Sequence, residues 1–327
     1  MRVSTSANIY PYIVRRLLQA VPLLLGVLVV TFTLIHMAPG DPVYILAGDG
    51  GDEEYYARMR AYYGLDRPLY EQLARYLWAA LRADFGYSFN YQQPALQVVL
   101  DRVPATLLLM VTALVISTGV GLLLGIVAAT RPRTPLDYGI TGTTLTFDAM
   151  PVFWLGQLLV IMFAVWLKWF PVQGMVSLRE AYTGWRLVLD VVHHLVLPAS
   201  ALALVQIALM ARLTRTTLRE TLSEDYVRTA RAKGMPERVV VRHALRNAML
   251  PVVTVLGGQF GAMLTGAALT ETIFAWPGLG RLLLDSTLNR DYPVLMALFI
   301  LVSTSVILAN LVTDLAYTLL DPRVRYS

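Results

Sequence analysis

Few residues of this chain could perform bond chemistry, and their spacing does not fit a catalytic pattern. The histidines are His36, His193, His194 and His243, and none has the His-Glu-x-x-His spacing of a zinc peptidase. There is no Gly-x-Ser-x-Gly elbow, and with 0 cysteines, thiol catalysis and cysteine-ligated metal centres are excluded. A metal bound by His193 and His194 is the alternative to a solvated pair at a helix start, and we favour the solvated pair. We therefore expect neither an enzyme nor a metal site.

The chain also lacks the Gly-x-x-x-x-Gly-Lys-Ser/Thr loop that holds nucleotide phosphates. If its function is driven by ATP, the nucleotide site must lie on a separate subunit. We expect no cofactor bound by this chain.

A second group of distinctive residues consists of polar side chains within apolar segments. These are His36, Gln157, Gln206, Gln259 and Asn310. An amide without a partner is costly in hydrocarbon, so each side chain should face another helix or an aqueous path. Contact between helices is the simpler interpretation for any one of them.

The composition shows which elements must position these residues. The apolar residues make up 56% and the charged residues 15%, whereas a soluble domain carries about 25% charged residues. The mean hydropathy is +0.56. The excess of 27 Lys+Arg over 22 Asp+Glu flanks apolar runs, which favours membrane topology over nucleic-acid binding as its cause.

Uncharged runs indicate membrane-spanning helices. The first lies between Arg16 and Asp41 and would be about 36 Å long as a helix, enough to cross a bilayer. The others are Val103–Thr130, Ala149–Leu167, Leu195–Ala211, Ala248–Thr270 and Tyr292–Thr313. The third run is short, and we extend it backwards through TGTTLTF and across Asp148. The sequence thus predicts an all-α polytopic membrane protein with six transmembrane helices.

Lysine and arginine in the flanks predict the orientation. They are concentrated at the N-terminus and in the loop from Arg212 to Asn247, and they are sparse after the third and fifth runs. By the positive-inside rule, the N-terminus, this loop and the C-terminus should be cytoplasmic. We accordingly divide the chain into residues 1–37 (N-terminus and first span), 38–103 (an extracytoplasmic module) and 104–327 (a core with a cytoplasmic loop at 212–250).

Within the extracytoplasmic module, the stretch after Asp66 predicts an amphipathic helix. Leu69, Leu73, Leu77 and Leu81 are at helical spacing, and Pro68 suits a first turn. The module is also rich in tyrosine, at Tyr55, Tyr56, Tyr62, Tyr63, Tyr87 and Tyr91. These tyrosines fit either an interfacial aromatic belt or a docking surface for an extracytoplasmic partner.

The cytoplasmic loop predicts two short helices separated by a turn. Ser223 could cap a helix that begins with Glu224 and Asp225, and Gly234-Met235-Pro236 should end it, with Pro236 opening the second helix. In the second helix Arg238, Arg242 and Arg246 share one face. Binding to anionic lipid would explain the charge, but not this layout.

At this loop the sequence resembles the permeases of binding-protein-dependent ABC importers, in the first permease of the dipeptide/oligopeptide (and nickel) branch. The resemblance is carried by DYVRTARAKGMPERVVVRHALRNAMLPVVT, which is similar to the loop that docks the ATPase. Arg228 and Thr229 depart from the general motif, and Gly234 to Pro251 is longer than usual; both departures are typical of this branch. Further similar segments follow in the same order: MAPGDPV, YGLDRPLYEQ, ADFGYSF, RVPATLLL, MPVFWLGQLL and ETIFAWPGLGRLL.

The resemblance implies a permease fold of ABC importer type I in the cytoplasmic (inner) membrane of a bacterium or archaeon. It implies a second homologous permease, two cytoplasmic ATPases that carry ATP and Mg²⁺, an extracytoplasmic solute-binding protein and surrounding membrane lipid, without nucleic acid. The cargo would be di- or oligopeptides, with nickel or another small solute as the alternative. The residues implied in ATPase coupling are Tyr226, Arg228, Thr229, Ala230, Arg231, Lys233, Gly234, Met235, Arg238 and Arg242.

The translocation path has no motif of its own. Our candidates are Gln157, Gln206, Gln259, Thr265 and Glu271, with Gln259 and Thr265 as first choices. An ion-coupled secondary transporter is the alternative function, since Asp148, Glu271 and Asp314 could bind a coupling ion. All three lie near the ends of their apolar runs.

Overall fold

Helices form the framework of the protein. The computed structural model describes residues 9–37, 51–63 and 66–320. Over these ranges every element longer than an isolated bridge is helical. The helices are α1 (Ile9–Met37), α2 (Glu53–Tyr63), α3 (Leu69–Leu81), α4 (Ala95–Thr130), α5 (Pro135–Asp148), α6 (Val152–Leu159), a π-helical segment (Val160–Trp166), α7 (Trp185–Leu222), α8 (Asp225–Ala232), α9 (Glu237–Ile273), α10 (Leu279–Leu288) and α11 (Tyr292–Leu320).

Five of the described helices are long and apolar enough to cross a membrane, and a bent pair raises the number to six. The bent pair consists of Pro135–Asp148 and Val152–Trp166, which meet at 103°. It corresponds to the third predicted span. The bend follows from Pro151, because proline disfavours helical backbone in the residue before it and begins a new helix well.

The chain divides into two compact units. Among the described residues, the first unit comprises those up to Pro104 together with Leu282–Leu311, and the second comprises Ala105–Arg281 together with residues 312–320. In the first unit, α3 lies against α1. Asp291, just before α11, is fully buried and accepts hydrogen bonds from the Ser88 hydroxyl and from the backbone N–H groups of Phe89 and Asn90.

The second unit is built around α7, which packs against α5, α6 and α9. Its main apolar core consists of Ala105, Leu109, Met110, Ala113, Leu195, Ala199, Leu202, Ala203, Met263, Ala267 and Trp276. Small residues let α4 approach α7 closely. A Cβ on Gly121 would lie 2.5 Å from Cβ of Met210, and one on Gly125 would lie 2.8 Å from the Ala211 carbonyl oxygen. These glycines therefore serve packing within the subunit.

Candidate coupling site and translocation path

The candidate coupling site is the turn between α8 and α9, which we call the coupling turn (Lys233–Pro236). Gly234 has φ of +75°, a left-handed conformation that is easy only for glycine. Its N–H donates to the Arg231 carbonyl at 2.9 Å, and the Met235 N–H donates to the Ala230 carbonyl at 3.3 Å. Pro236 then precedes the first residue of α9. The predicted stop at Gly234 and start at Pro236 are both found.

Two features of the loop differ from the prediction. Ser223 does not cap α8; it lies at the C-terminal end of α7, and its hydroxyl donates to the Glu220 carbonyl at 2.7 Å. Glu224 occupies the N-cap position instead, without a side-chain cap. The second helix is not short, because α9 continues through Pro251 to Ile273. The coupling turn is thus joined directly to the fifth span.

An apolar underside fixes the coupling turn to the second unit. Val227 is buried in a cluster with Ala129, Leu218, Val240, Ala244 and Ala248, and Ala230 and Met235 pack against the same cluster. The cluster contains residues of α4, α7 and α9, so α8 is held by three long helices. Displacement of the turn would therefore be transmitted to all three.

The opposite side of the loop is exposed. The exposed candidate residues are Tyr226, Arg228, Thr229, Arg231, Lys233, Gly234, Arg238 and Arg242. A Cβ on Gly234 would meet no atom within 4 Å. The surface around Gly234 is therefore open to a partner.

Charges on this surface are partly paired. Arg231 donates to both carboxylate oxygens of Glu237, at 2.6 and 3.2 Å, and these bonds raise the pKa of the Arg231 guanidinium. Arg228 lies 3.3 Å from Asp225. Lys233 makes no ion pair within the described part of the chain. The Asn247 amide donates to the Tyr226 hydroxyl at 3.0 Å, which links α8 to α9.

A network between α5 and α7 was not predicted. Asp137 is almost completely buried and accepts hydrogen bonds from Nε and an NH2 nitrogen of Arg215 at 2.6 and 2.9 Å. It also accepts from the Arg133 N–H at 3.0 Å, and a second pair joins Asp148 to Arg212 at 2.8 Å. The sequence contains a sign of this network, because Asp137 and Asp148 fall about 20° apart on a helical wheel and therefore share one face of α5.

The path candidates lie in different environments. Gln157 is exposed, Gln206 is half-buried, and Gln259 is buried at 8% exposure. The side chain of Thr265 lies outside the described residues. The structure does not bring these side chains together by any hydrogen bond among the described residues.

Glu271 is enclosed by protein. It is 0% exposed, and its carboxylate accepts hydrogen bonds from the Thr106 hydroxyl at 2.6 Å and from the N–H groups of Gly280 and Arg281 at 2.7 and 3.1 Å. The Leu279 N–H donates in turn to the Thr106 hydroxyl at 2.7 Å. This geometry favours a role in holding the start of α10 over the predicted role in lining a path.

The histidine pair has structural partners. His193 Nε2 lies 2.8 Å from the Trp169 carbonyl, and His194 Nδ1 lies 2.8 Å from the Asp190 carbonyl. The described residues contain no cluster of His, Cys, Asp or Glu that could hold a metal ion.

Comparison with known proteins identifies the family. The model for binding-protein-dependent transport system inner membrane components matches residues 121–326, and the model for the N-terminal part of such membrane components matches residues 9–110. The chain belongs to this family. It is a multi-pass permease subunit of an ABC importer in the inner membrane, which removes the ion-coupled secondary transporter as an alternative.

Relatives match over nearly the whole length. The dipeptide transport system permease protein DppB of Escherichia coli (strain K12) is 42% identical over 334 residues, covering 96% of this chain and 98% of that protein. The di/tripeptide transport system permease protein DppB of Pseudomonas aeruginosa (strain UCBPP-PA14) is 43% identical over 96% of this chain and 98% of its own. The oligopeptide transport system permease protein AppB of Bacillus subtilis (strain 168) is 38% identical over 96% of this chain and 99% of its own.

A solved structure shares the fold. The crystal structure of an amino acid ABC transporter with histidines aligns with a TM-score of 0.50, covering 70% of this chain and 94% of that chain at 16% sequence identity. The permease fold expected from the sequence is therefore confirmed, together with the family.

Proposed function

We propose that this permease forms half of the translocation path for di- and oligopeptides that an extracytoplasmic solute-binding protein delivers. The observation that carries the proposal is the 42% identity to a dipeptide permease over 96% of the chain. The matches named for dipeptides, di/tripeptides and oligopeptides all cover almost the full length. Peptide therefore ranks ahead of nickel or another small solute as cargo.

The assembly that we propose contains a second homologous permease and two ATPases, with ATP and Mg²⁺ bound on the ATPases. Support for the second permease comes from α9. A Cβ on Gly258 would meet no atom within 4 Å, whereas Gly121 and Gly125 of α4 are in close contact with α7. The side of α9 at Gly258 is thus open for another helix.

Coupling would occur at the coupling turn. ATP binding would close the ATPase pair and move the two permeases' turns together, which would open the path outward; hydrolysis would reset it. Support comes from the open surface at Gly234 and from the apolar cluster that joins α8 to α4, α7 and α9. For contact with an ATPase, the shape of the coupling turn should matter more than its charge, because exposed ion pairs commonly contribute only about 0–1 kcal/mol.

Among the path candidates, Gln259 remains our first choice. It is a buried amide in the middle of α9, one residue from the open Gly258 position. Because its own subunit covers it, Gln259 would line the path only when the helices move apart during transport.

Uptake of a radiolabelled dipeptide by cells that express the complete importer tests this function, with Gly234→Val, Lys233→Glu and Gln259→Leu as variants. We expect Gly234→Val to insert in the membrane but to lose ATPase co-purification and uptake. Lys233→Glu should lose less activity, and Gln259→Leu should lower uptake while ATPase assembly is retained.

Gly86→Val is the matched control for Gly234→Val. Gly86 has φ of +78° and, like Gly234, no atom within 4 Å of an added Cβ. Both substitutions therefore impose a similar backbone strain, about 1–2 kcal/mol, but only Gly234 lies at the coupling turn. Normal assembly with Gly234→Val, or equal loss with both variants, would contradict the coupling role. Uptake of nickel but not of dipeptide would contradict the proposed cargo.

A further inference from the structure

Helix α3 (Leu69–Leu81) presents an apolar face that nothing in the described chain covers. Leu69, Tyr70, Trp78 and Leu81 are 59%, 72%, 58% and 73% exposed. None of the residues of α3 is buried. On a helical wheel Tyr70 and Leu81 point within about 20° of each other, and Trp78 points about 80° from Tyr70. Tyr70, Trp78 and Leu81 define what we call the outer face of α3, whereas Leu69 points about 180° from Trp78 and is not part of it.

A different face of α3 attaches the helix to α1. His36 Nε2 lies 3.0 Å from Gln72 Oε1, and the ring of Phe32 stacks on the ring of Tyr76 at 5.7 Å. Gln72 and Tyr76 lie on the side of the wheel roughly opposite Tyr70. The outer face is therefore not used for packing on α1.

The position on α1 sets the depth of α3 relative to a bilayer. Residues Val14–Leu34 form a candidate span with a mean hydropathy of 2.3. Val30, Leu34 and Met37 are 57%, 60% and 76% exposed, as expected of a helix in contact with lipid. His36, which contacts α3, lies at the end of this span. The first turn of α3, which contacts His36 through Gln72, therefore lies where the hydrocarbon of the bilayer gives way to water.

The side chains of the outer face are of the types found at the interface between membrane and water. Tryptophan and tyrosine are enriched where membranes meet water, because they combine an apolar ring with a polar group. Arg82 places its guanidinium carbon 4.6 Å from the centre of the Trp78 ring, where a cation can extend towards the headgroups. Arg75 lies on the remaining side of α3, about 140° from Tyr70, whereas Glu71 lies at the edge of the outer face, about 20° from Trp78.

We propose that α3 is an interfacial membrane helix whose outer face inserts Tyr70, Trp78 and Leu81 between phospholipids. The outer face then continues the lipid-facing surface of α1. An amphipathic helix of this kind places its apolar face about 5–10 Å into the headgroup and acyl boundary. Insertion would anchor the module that follows the first span at a fixed height above the bilayer.

The absence of cysteine makes the test direct, because every cysteine introduced is the only one in this chain. The variants Tyr70→Cys and Leu81→Cys probe the outer face, and Arg75→Cys is the matched control on the polar side of the same helix. Each variant is spin-labelled in the complete importer, with any cysteines of the partner subunits replaced. The importer is reconstituted in phosphatidylcholine nanodiscs without binding protein. Collision rates are then measured with oxygen, which dissolves in lipid, and with a nickel chelate, which stays in water.

We expect the ratio of oxygen to nickel collisions to be several times higher at residues 70 and 81 than at residue 75. Equal ratios at all three positions, with ready access of the nickel chelate, would overturn the proposal in favour of a solvated face. Labels at residues 70 and 81 that neither reagent reaches would also overturn it, because a protein subunit would then cover the face. Trp78→Phe gives an independent measurement. Brominated phospholipid should quench the native chain more than this variant, and equal quenching would contradict insertion.

Discussion

Three buried carboxylates of the described residues, Asp137, Glu271 and Asp291, are stabilised in two ways. Asp137 has a guanidinium partner, Arg215, whereas Glu271 and Asp291 are each held by one hydroxyl and two backbone N–H groups. A buried charge without such partners would be too costly to retain. These sites fix helix ends that enter or leave the membrane.

The ion pair of Asp137 and Arg215 should matter far more than that of Asp148 and Arg212. The Asp137 side chain is 2% exposed, whereas Asp148 and Arg212 are 33% and 52% exposed. Removing one partner of a buried ion pair commonly lowers the free energy of unfolding by about 3–5 kcal/mol. We expect the loss with Asp137→Asn to approach the lower end of this range, because Arg215 keeps some access to solvent. Asp148→Asn should cost about 0–1 kcal/mol, as exposed pairs do. Thermal unfolding of the purified permease in detergent measures the loss of stability in both variants.

Asp148→Asn is the matched control, since it makes the same chemical change on the same face of α5. If both variants unfold at the same temperature as the native chain, the buried pair does not hold α5 to α7.

Sequence reasoning failed at the residue level where partners are distant in the chain. The contacts of Glu271 with Thr106 and with the start of α10 could not be predicted, because they depend on how the helices meet. Ser223 was assigned to the wrong helix, since a serine between two helices suits either end and only the backbone decides. Gly234 and Pro236 were placed correctly because their roles depend on their own backbone geometry.

At the level of elements, small residues determine where α4 and α7 approach. An added Cβ on Gly125 would lie 2.5 Å from Cβ of Thr214, whereas one on Gly119 would meet no atom within 4 Å. The two positions thus differ in packing, although both are glycines of the same helix.

Gly125→Val should therefore destabilise the permease, and Gly119→Val should not. Forcing extra carbon atoms into a packed contact typically costs about 1–3 kcal/mol, whereas Gly119 faces open space and valine improves helix propensity over glycine. Unfolding midpoints of the two variants in the same detergent give the comparison. A loss of stability with Gly119→Val equal to that with Gly125→Val would show that this face of α4 does not depend on close approach.

The sequence predicted the elements better than their connections. Uncharged length identified the five spans that are single helices, since hydrocarbon excludes charge. The third predicted span needed an extension across Asp148 into the bent helix pair. It could not show that α9 runs without a break from Glu237 to Ile273, because the arginines at its start resemble a separate surface helix. Nor could it give the 103° bend between α5 and α6, although Pro151 marks its place.

For the whole molecule, the asymmetry of basic residues predicts the orientation. The loop that contains the coupling turn should be cytoplasmic, which agrees with a site for cytoplasmic ATPases. The segment between the first and second spans, which includes α3, should be on the opposite side.

Cysteine labelling of intact cells tests the orientation. Ser88 is unsuitable as the external position, because it is 1% exposed and donates to Asp291. Tyr87 is 67% exposed and Ser223 is exposed, so Tyr87→Cys and Ser223→Cys are the better pair. A membrane-impermeant thiol reagent should label Tyr87→Cys in intact cells and should label Ser223→Cys only after the cells are permeabilised. Labelling of Ser223→Cys from outside would place the coupling turn away from the ATPases and would contradict both the six-span topology and the coupling role of Gly234.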